Sequence, residues 1–263
     1  MPGLDLKTLV QNIGQSVSLH LFTENVLRTS LGKSFYLFLY AGFKRLFEEK
    51  EWRELDRYLV TGSTVLDIGA NVGMTAAYFS KKVGPNGHVV AFEPDPLMAD
   101  LCRTYLTKRR LTNVDLIATA LGAEDGMHIF FQNLSNRADN RLVFDAEGMG
   151  TTRQVAVPIR SLSSLAKEDS KRFTEVSLVK IDVQGYEFWV LSGMTAWIKS
   201  LTKKPIIHME FWPYGLKRAG SSPEELLALA HSLGYLVPAD AFKLSQDMEK
   251  TKAYADITLL PSS

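Results

Sequence analysis

Cysteine is almost missing from this chain of 263 residues, which carries only Cys102. No disulfide can close within it, and such thiol usage fits a reducing compartment such as the cytoplasm. Cys102 lies in Leu101-Cys102-Arg103-Thr104-Tyr105, a helical stretch, and reads as a small buried helix residue rather than a nucleophile. An excess of one charge is missing too: 30 Lys and Arg stand against 29 Asp and Glu. No global field favours a polyanion, so nucleic acid is not expected as a partner. Long apolar runs are absent, and the most suggestive stretch, Phe35 to Phe43, falls well short of the ~20 residues a membrane span needs. The N-terminus lacks the basic, apolar, small-residue order of a secretion signal and carries Asp5 and Glu24. What remains is ordinary globular composition, 46% hydrophobic and 22% charged. That suits one large α/β domain with a small appended segment.

Residues 1–60 read as an N-terminal helical cap or interaction segment. Apolar residues recur at helical spacing from Leu4 to Leu59, and proline is absent after Pro2. Glu48, Glu49, Lys50, Glu51, Arg53, Glu54 and Arg57 form a solvated face of mixed charge. The aromatic run Phe35–Phe43 reads first as a helix packed on the main domain or on a second subunit, which makes a homo-oligomer one expectation. Its flanks Lys33, Lys44 and Arg45 leave open a peripheral membrane contact for an otherwise cytoplasmic protein.

Thr61-Gly62-Ser63 breaks this region, and residues 61–263 then alternate strands with helices. Strands are expected at Thr64–Ile68, His88–Phe92, Val114–Ala118, Met127–Gln132, Gln154–Ile159, Val176–Val183, Pro205–Phe211 and Tyr254–Leu260. Helices are expected at Gly73–Val83, Pro96–Arg110, Ser161–Ala166 and Tyr186–Met194, with another opening at Pro223 under a Ser221 or Ser222 cap. Short links between such elements imply an α/β fold, a Rossmann-like doubly wound parallel sheet with crossover helices. Asn133 to Gly150 reads as a long polar loop in which Asn133, Ser135, Asn136 and Arg137 are candidates for a lid.

The segment Asp67-x-Gly69-Ala70-Asn71-x-Gly73 sits at the first strand-to-helix turn. Ligands bind there because a strand's C-terminal end and a helix N-terminus converge. Gly69, Ala70, Asn71 and Gly73 make a bare loop, and Asn71 is the non-glycine type that best tolerates positive φ. A dinucleotide fingerprint would need glycine at 69, 71 and 74; Asn71 and Met74 break it, which disfavours a pyrophosphate. Asp67 suits a cationic ligand better. Glu93, followed by Pro94, ends the second strand where a carboxylate can accept both hydroxyls of a ribose.

Asp67 to Gly73, Phe92-Glu93-Pro94 and Lys180-Ile181-Asp182-Val183-Gln184-Gly185-Tyr186-Glu187 together resemble the FkbM family of S-adenosylmethionine-dependent methyltransferases, over roughly Thr64 to Pro261. The resemblance implies seven mostly parallel strands with an antiparallel last strand, S-adenosylmethionine as cofactor, and O-methylation of a small-molecule, glycan or lipid acceptor. It also implies that the edge carrying Asp182, which adjoins both cofactor and acceptor, faces the transferred methyl group. Gln184 departs from the pattern, since many relatives carry Glu there.

Asp182 and Glu187 are therefore candidates to accept a hydroxyl proton, with Gly185 letting the chain turn close to a ligand. His208 and Glu210 end the next strand and share one face by the two-residue period. They join the catalytic candidates, and Phe211-Trp212-Pro213-Tyr214 could wall an acceptor pocket. Asp182, Glu210 and His208 also suggest a divalent ion, but no metal is assigned. Thr119 and Ala120, before Leu121 and Gly122, are candidates to border an adenine. Two other readings compete: an NAD-linked oxidoreductase, disfavoured by Asn71 and Met74, and a non-catalytic scaffold of the same fold, disfavoured because the loop glycines and Glu93 are retained.

Overall fold

Short apolar runs separated by amphipathic segments build an α/β architecture in the computed structural model. It describes residues 24–47, 49–134, 140–142, 151–238, 241, 245–246, 248 and 253–262. After a helical turn at Glu24–Leu27 come α1 (Ser30–Phe47) and α2 (Glu49–Glu54). Then follow β1 (Thr64–Ile68), α3 (Met74–Val83), β2 (His88–Phe92), α4 (Pro96–Lys108), β3 (Val114–Ile117), β4 (Ala120–Leu121), β5 (Gly126–Asn133) and β6 (Thr152–Arg160). The chain continues through α5 (Leu162–Glu168), β7 (Val176–Ile181), α6 (Glu187–Ser200), β8 (Ile206–Phe211), α7 (Pro213–Arg218), α8 (Pro223–Ser232), β9 (Tyr235–Leu236) and β10 (Ala255–Pro261).

Seven strands form the main sheet in the order β3-β2-β1-β7-β8-β10-β9, with β10 antiparallel to both neighbours. A parallel sheet is covered on both faces, so its strands read as near-continuous apolar runs. Leu66, Ile68, Val90, Phe92, Val179, Ile181, Ile207 and Met209 face α6 and α8. Val65, Val89, Ala91 and Leu178 face Ala76, Phe79 and Val83 of α3. Asp95 caps α4 through its side chain and Ser222 caps α8, which decides between the two cap candidates there.

Three departures from expectation have local causes. The N-terminal helical stretch is broken, because Thr29 accepts the Gly32 N–H and starts α1 afresh; residues 1–23 lie outside the described part. The strand expected to end at Gln132 runs to Asn133 because β5 and β6 pair along their whole length, forming a second sheet with β4 that was not anticipated. The supposed loop contains an anchored point: Arg141 exchanges both backbone hydrogen bonds with Phe131, at 2.9 and 3.0 Å. Ser135, Asn136 and Arg137 fall outside the described residues.

The aromatic run of α1 divides by helical phase. Tyr36, Leu37 and Tyr40 are buried with Leu27 and Trp52 against Val72, Met74, Ala77, Met98, Leu101 and Cys102. Tyr36 and Tyr40 stack with ring centroids 5.5 Å apart. The inner face of the N-terminal helix thus packs directly on the loop after β1 and on α4. On the opposite face Leu31, Phe35, Phe38 and Leu39 are exposed.

Candidate active site

The C-terminal ends of β1, β2, β7 and β8 lie side by side and bring the acidic candidates to one edge. The loop leaving β1 is shaped by backbone that ordinary side chains resist. Gly69, Asn71 and Gly73 all have positive φ, at 86°, 50° and 81°. A methyl group on Gly69 would sit 1.9 Å from the Asp182 carbonyl oxygen, so the loop lies flush against the end of β7. One on Gly73 would sit 2.5 Å from the Cys102 sulfur. Cys102 is therefore a packing residue under the loop, and burial pushes its thiol up, out of the reactive range. The Gly69 and Ala70 N–H groups donate to the Phe92 carbonyl at 3.0 and 2.9 Å, tying the loop to the end of β2. The Asn71 side chain accepts from Val72 N–H at 2.8 Å.

Glu93 is the hinge of this loop. One carboxylate oxygen accepts the Asn71 N–H at 2.7 Å and the other the Asp95 N–H at 2.8 Å. Burial pushes its carboxyl up to about 8, against the pull of those hydrogen bonds. Each oxygen retains a second lone pair, so two further donors can be accepted. Pro94 is half-buried beside it. Asp95, not singled out from the sequence, is fully buried and does more than cap α4: its Oδ2 accepts from Gln132 at 2.9 Å and Asn140 at 2.6 Å. Asn140 in turn accepts the Asn133 N–H, so the far side of the β5 loop is fastened to the end of β2. The Asp-Pro pair opening a helix was the available signal for Asp95.

Asp67 has no exposed surface, and neither of its carboxylate oxygens accepts a hydrogen bond of ordinary geometry. Burial raises its pKa; the Lys180 ammonium, 3.8 Å away, and the Ala76 N–H in the first turn of α3 pull the other way. Lys180 was also missed. It is a lysine within the apolar strand β7, and register places it between Asp67 and His208. Its ammonium lies 3.2 Å from Asp182 as well. A charged residue inside an apolar strand was the signal that could have found it.

Asp182, Gln184 and Glu210 meet at the same edge, beyond the ends of β7 and β8. Gln184, with φ of 57°, donates its side-chain amide to Asp182 at 3.0 Å and to Glu210 at 3.2 Å. The Gln at this position therefore acts as a neutral bridge between two carboxyls. Burial, then the neighbouring Asp182 and Glu187, raise the Glu210 pKa well above its usual range. Glu187 is fully buried: its Oε1 accepts the Val183 and Gly185 N–H groups at 3.2 and 3.1 Å, while its Oε2 has no partner. Burial raises this carboxyl too. His208 shares Glu210's strand face, but its Nδ1 pairs with Thr258 at 3.0 Å, and burial with Lys180 nearby lowers its pKa to about 4.

The remaining candidates have other neighbours. Thr119 is buried and donates to the Pro158 carbonyl at 2.9 Å, while Ala120 belongs to β4 and packs with Phe130, Val157 and Ile159. Phe211 is wholly in the core, so it cannot wall a pocket. Trp212 lies against Tyr214 and under the Arg141 guanidinium, 4.9 Å from its ring centre. Among the described residues no group of three or more His, Cys, Asp or Glu side chains is placed to hold a metal ion.

The residues present fit S-adenosylmethionine. The Asp67 carboxyl, buried without a hydrogen bond of ordinary geometry and 3.8 Å from Lys180, and the Glu187 Oε2 without a hydrogen-bond partner leave room for further positive charge, which its sulfonium and amino groups carry. Glu93 has acceptor capacity for ribose hydroxyls at the end of the adjacent strand.

Comparison with known proteins agrees. The family model described as the methyltransferase FkbM domain matches residues 67–237. A protein-L-isoaspartate O-methyltransferase of Methanothrix thermoacetophila is 38% identical over 56 residues, 21% of this chain and 27% of that protein. An arsenite methyltransferase of Halobacterium salinarum is 27% identical over 93 residues, 33% of this chain and 24% of that protein. The matches thus span about a quarter of these curated relatives. Among solved structures, one described as an rRNA methylase from Clostridium thermocellum superposes with a TM-score of 0.50 at 13% identity, covering 82% of this chain and 95% of its own, which is a likeness of fold.

Proposed function

The chain belongs to the FkbM family of methyltransferases, and from that premise we propose that it transfers the methyl group of S-adenosylmethionine to a hydroxyl of a small-molecule, sugar or lipid-linked acceptor. The observation that carries the reading is the fully buried Asp67, whose oxygens accept no hydrogen bond of ordinary geometry and which Lys180 approaches only to 3.8 Å, one strand away from Glu93 and its spare lone pairs.

S-adenosylmethionine supplies an electrophilic methyl group on a sulfonium. The chain's own residues then have three tasks. Glu93 holds the ribose hydroxyls while its backbone partners keep the Asp67–Gly73 loop in place. Asp67 and Glu187 give negative charge to the cationic part of the cofactor. Asp182 orients the acceptor hydroxyl and receives its proton. Its two oxygens are each steadied, by Gln184 and by Lys180, so the carboxylate is oriented before the acceptor arrives. Glu210 shares the Gln184 amide and adds a second acceptor at the same edge. His208 is assigned a supporting place, because Thr258 engages its ring and its low pKa makes it a weak base. Thr119 and Ala120 remain the proposed border of the adenine.

Titration calorimetry with S-adenosylhomocysteine, S-adenosylmethionine and NAD tests the cofactor. Binding of the first two without NAD supports the reading, and NAD binding alone overturns it. An acceptor panel of sugar, phenolic and lipid-linked hydroxyls then tests the reaction. Asp182→Asn and Glu210→Gln should each slow transfer while leaving S-adenosylhomocysteine bound; full activity in both removes the acceptor-side assignment.

A further inference from the structure

We propose that the outer face of α1 docks on a membrane surface of anionic phospholipid, whatever group the enzyme transfers. Leu31, Phe35, Phe38 and Leu39 are 85%, 58%, 73% and 38% exposed. At 100° per residue they fall on one stripe, opposite the buried Tyr36, Leu37 and Tyr40. Four large apolar side chains on one helix stripe are more than the scattered exposure a soluble surface normally carries. The buried face is already satisfied by α3, α4 and the loop after β1, so the exposed stripe is not needed to attach the helix.

Charge decides the occupant. From Val26 to Phe47 the sequence contains no Asp or Glu, but it contains Arg28, Lys33, Lys44 and Arg45. Arg28 is exposed, Lys108 at the end of α4 donates to Ser34 of α1, and the exposed Arg110 follows two residues later. Lys33 pairs with Asp100 on the domain side. An apolar stripe bearing phenylalanine and leucine, with the exposed Arg28 just before the helix and Lys108 reaching Ser34 beside it, has the composition of a helix that lies in a lipid interface. Anionic headgroups complement those basic side chains. A second copy of the chain would present the same stripe, and between residues 26 and 47 it offers no carboxylate to the basic flanks. No helix among the described residues is long and apolar enough to cross a membrane, so the contact is to the surface. Since α1 also packs on Val72 and Met74, docking sets the candidate cofactor loop within one helix diameter, about 10 Å, of the lipid headgroups.

The test is vesicle flotation of the full chain, with vesicles of phosphatidylcholine alone and of equal parts phosphatidylcholine and phosphatidylglycerol. The chain is expected to float with the anionic vesicles, at least tenfold more than with the neutral ones, and to be released by high salt. Phe38→Glu and Leu31→Glu should each reduce flotation at least tenfold. Both positions are exposed, so thermal melts and S-adenosylhomocysteine titrations should match the parent and show that the fold is intact. Absence of flotation with anionic vesicles overturns the proposal, as does equal, salt-independent flotation with both. A dimer in light scattering that Phe38→Glu dissociates, without vesicle binding, assigns the stripe to a second copy and overturns it as well.

Discussion

Glu93→Gln separates what this carboxylate does for the fold from what it does for a ligand. In the parent its two oxygens each accept a buried backbone N–H, from Asn71 at 2.7 Å and Asp95 at 2.8 Å. The amide keeps one acceptor and turns an NH₂ group against the other N–H. A buried donor left without its acceptor costs about 1–3 kcal/mol, so at pH 6 the variant should be less stable by about that amount. The pH dependence runs the other way. Burial displaces the Glu93 carboxyl from 4.5 to about 8 in the folded protein. The folded chain therefore binds this proton more tightly than the unfolded chain. Stability from this group is fully present below the unfolded value and is lost as pH rises towards 8. Between pH 6 and 8 the loss is at most roughly 3 kcal/mol, or about 6–10 °C in melting temperature for a chain of this size. The substituted amide cannot titrate, so the variant should melt at a temperature that falls less over that interval. Ligand affinity should move oppositely: the ionised carboxylate is the stronger acceptor for ribose hydroxyls, so S-adenosylhomocysteine should bind the parent more tightly as pH rises through 8, and the variant should lack that rise. Thermal melts and calorimetric titrations of both proteins from pH 6 to 9 measure all three quantities. Identical pH slopes in parent and variant would refute the argument.

Asp67→Asn should raise the melting temperature of the ligand-free protein, because it removes a carboxyl whose desolvation outweighs the pull of Lys180 and the Ala76 N–H. It should also weaken S-adenosylmethionine at least tenfold, about 1.4 kcal/mol, and weaken the uncharged-sulfur product less; equal losses for both ligands would count against a role in holding positive charge. Gly69→Ala puts a methyl group 1.9 Å from a backbone oxygen at a φ of 86°. A loss of at least about 3 kcal/mol is expected in urea denaturation, and an unchanged midpoint would show that the loop does not lie against β7 as described.

Much of the candidate site was legible because its signals are local. Asp67 to Gly73 announces a bare turn after an apolar strand, and positive φ at Gly69, Asn71 and Gly73 is what those residue types permit. Glu93 and Asp182 sit where short apolar runs stop, so their place at one sheet edge follows from parallel strand order alone. The second sheet was not legible, since β4 has only Ala120 and Leu121 and exists through pairing with β6, nearly forty residues away. The same holds for Lys180 between Asp67 and Asp182, for Gln184 bridging Asp182 to Glu210, and for Asn140 on Asp95. These are contacts between strand ends or loops far apart in the chain, and periodicity carries no information about them.

The aromatic run of α1 marks the same boundary. Its residue types announced a helix with a large apolar surface, and the 3.6-residue period already separates Tyr36, Leu37 and Tyr40 from Leu31, Phe35 and Phe38. Which of the two faces is buried depended on what the rest of the chain offered as a partner. The apolar surface of α3 and α4 took the tyrosine face, and Phe35 and Phe38 fell on the exposed side. The chain alone determined the strand-end chemistry and the helix's two faces, because both are written in spacing. Only the tertiary structure decided which charges meet at one sheet edge and which apolar face stays exposed, because both depend on packing between segments that sequence order keeps apart.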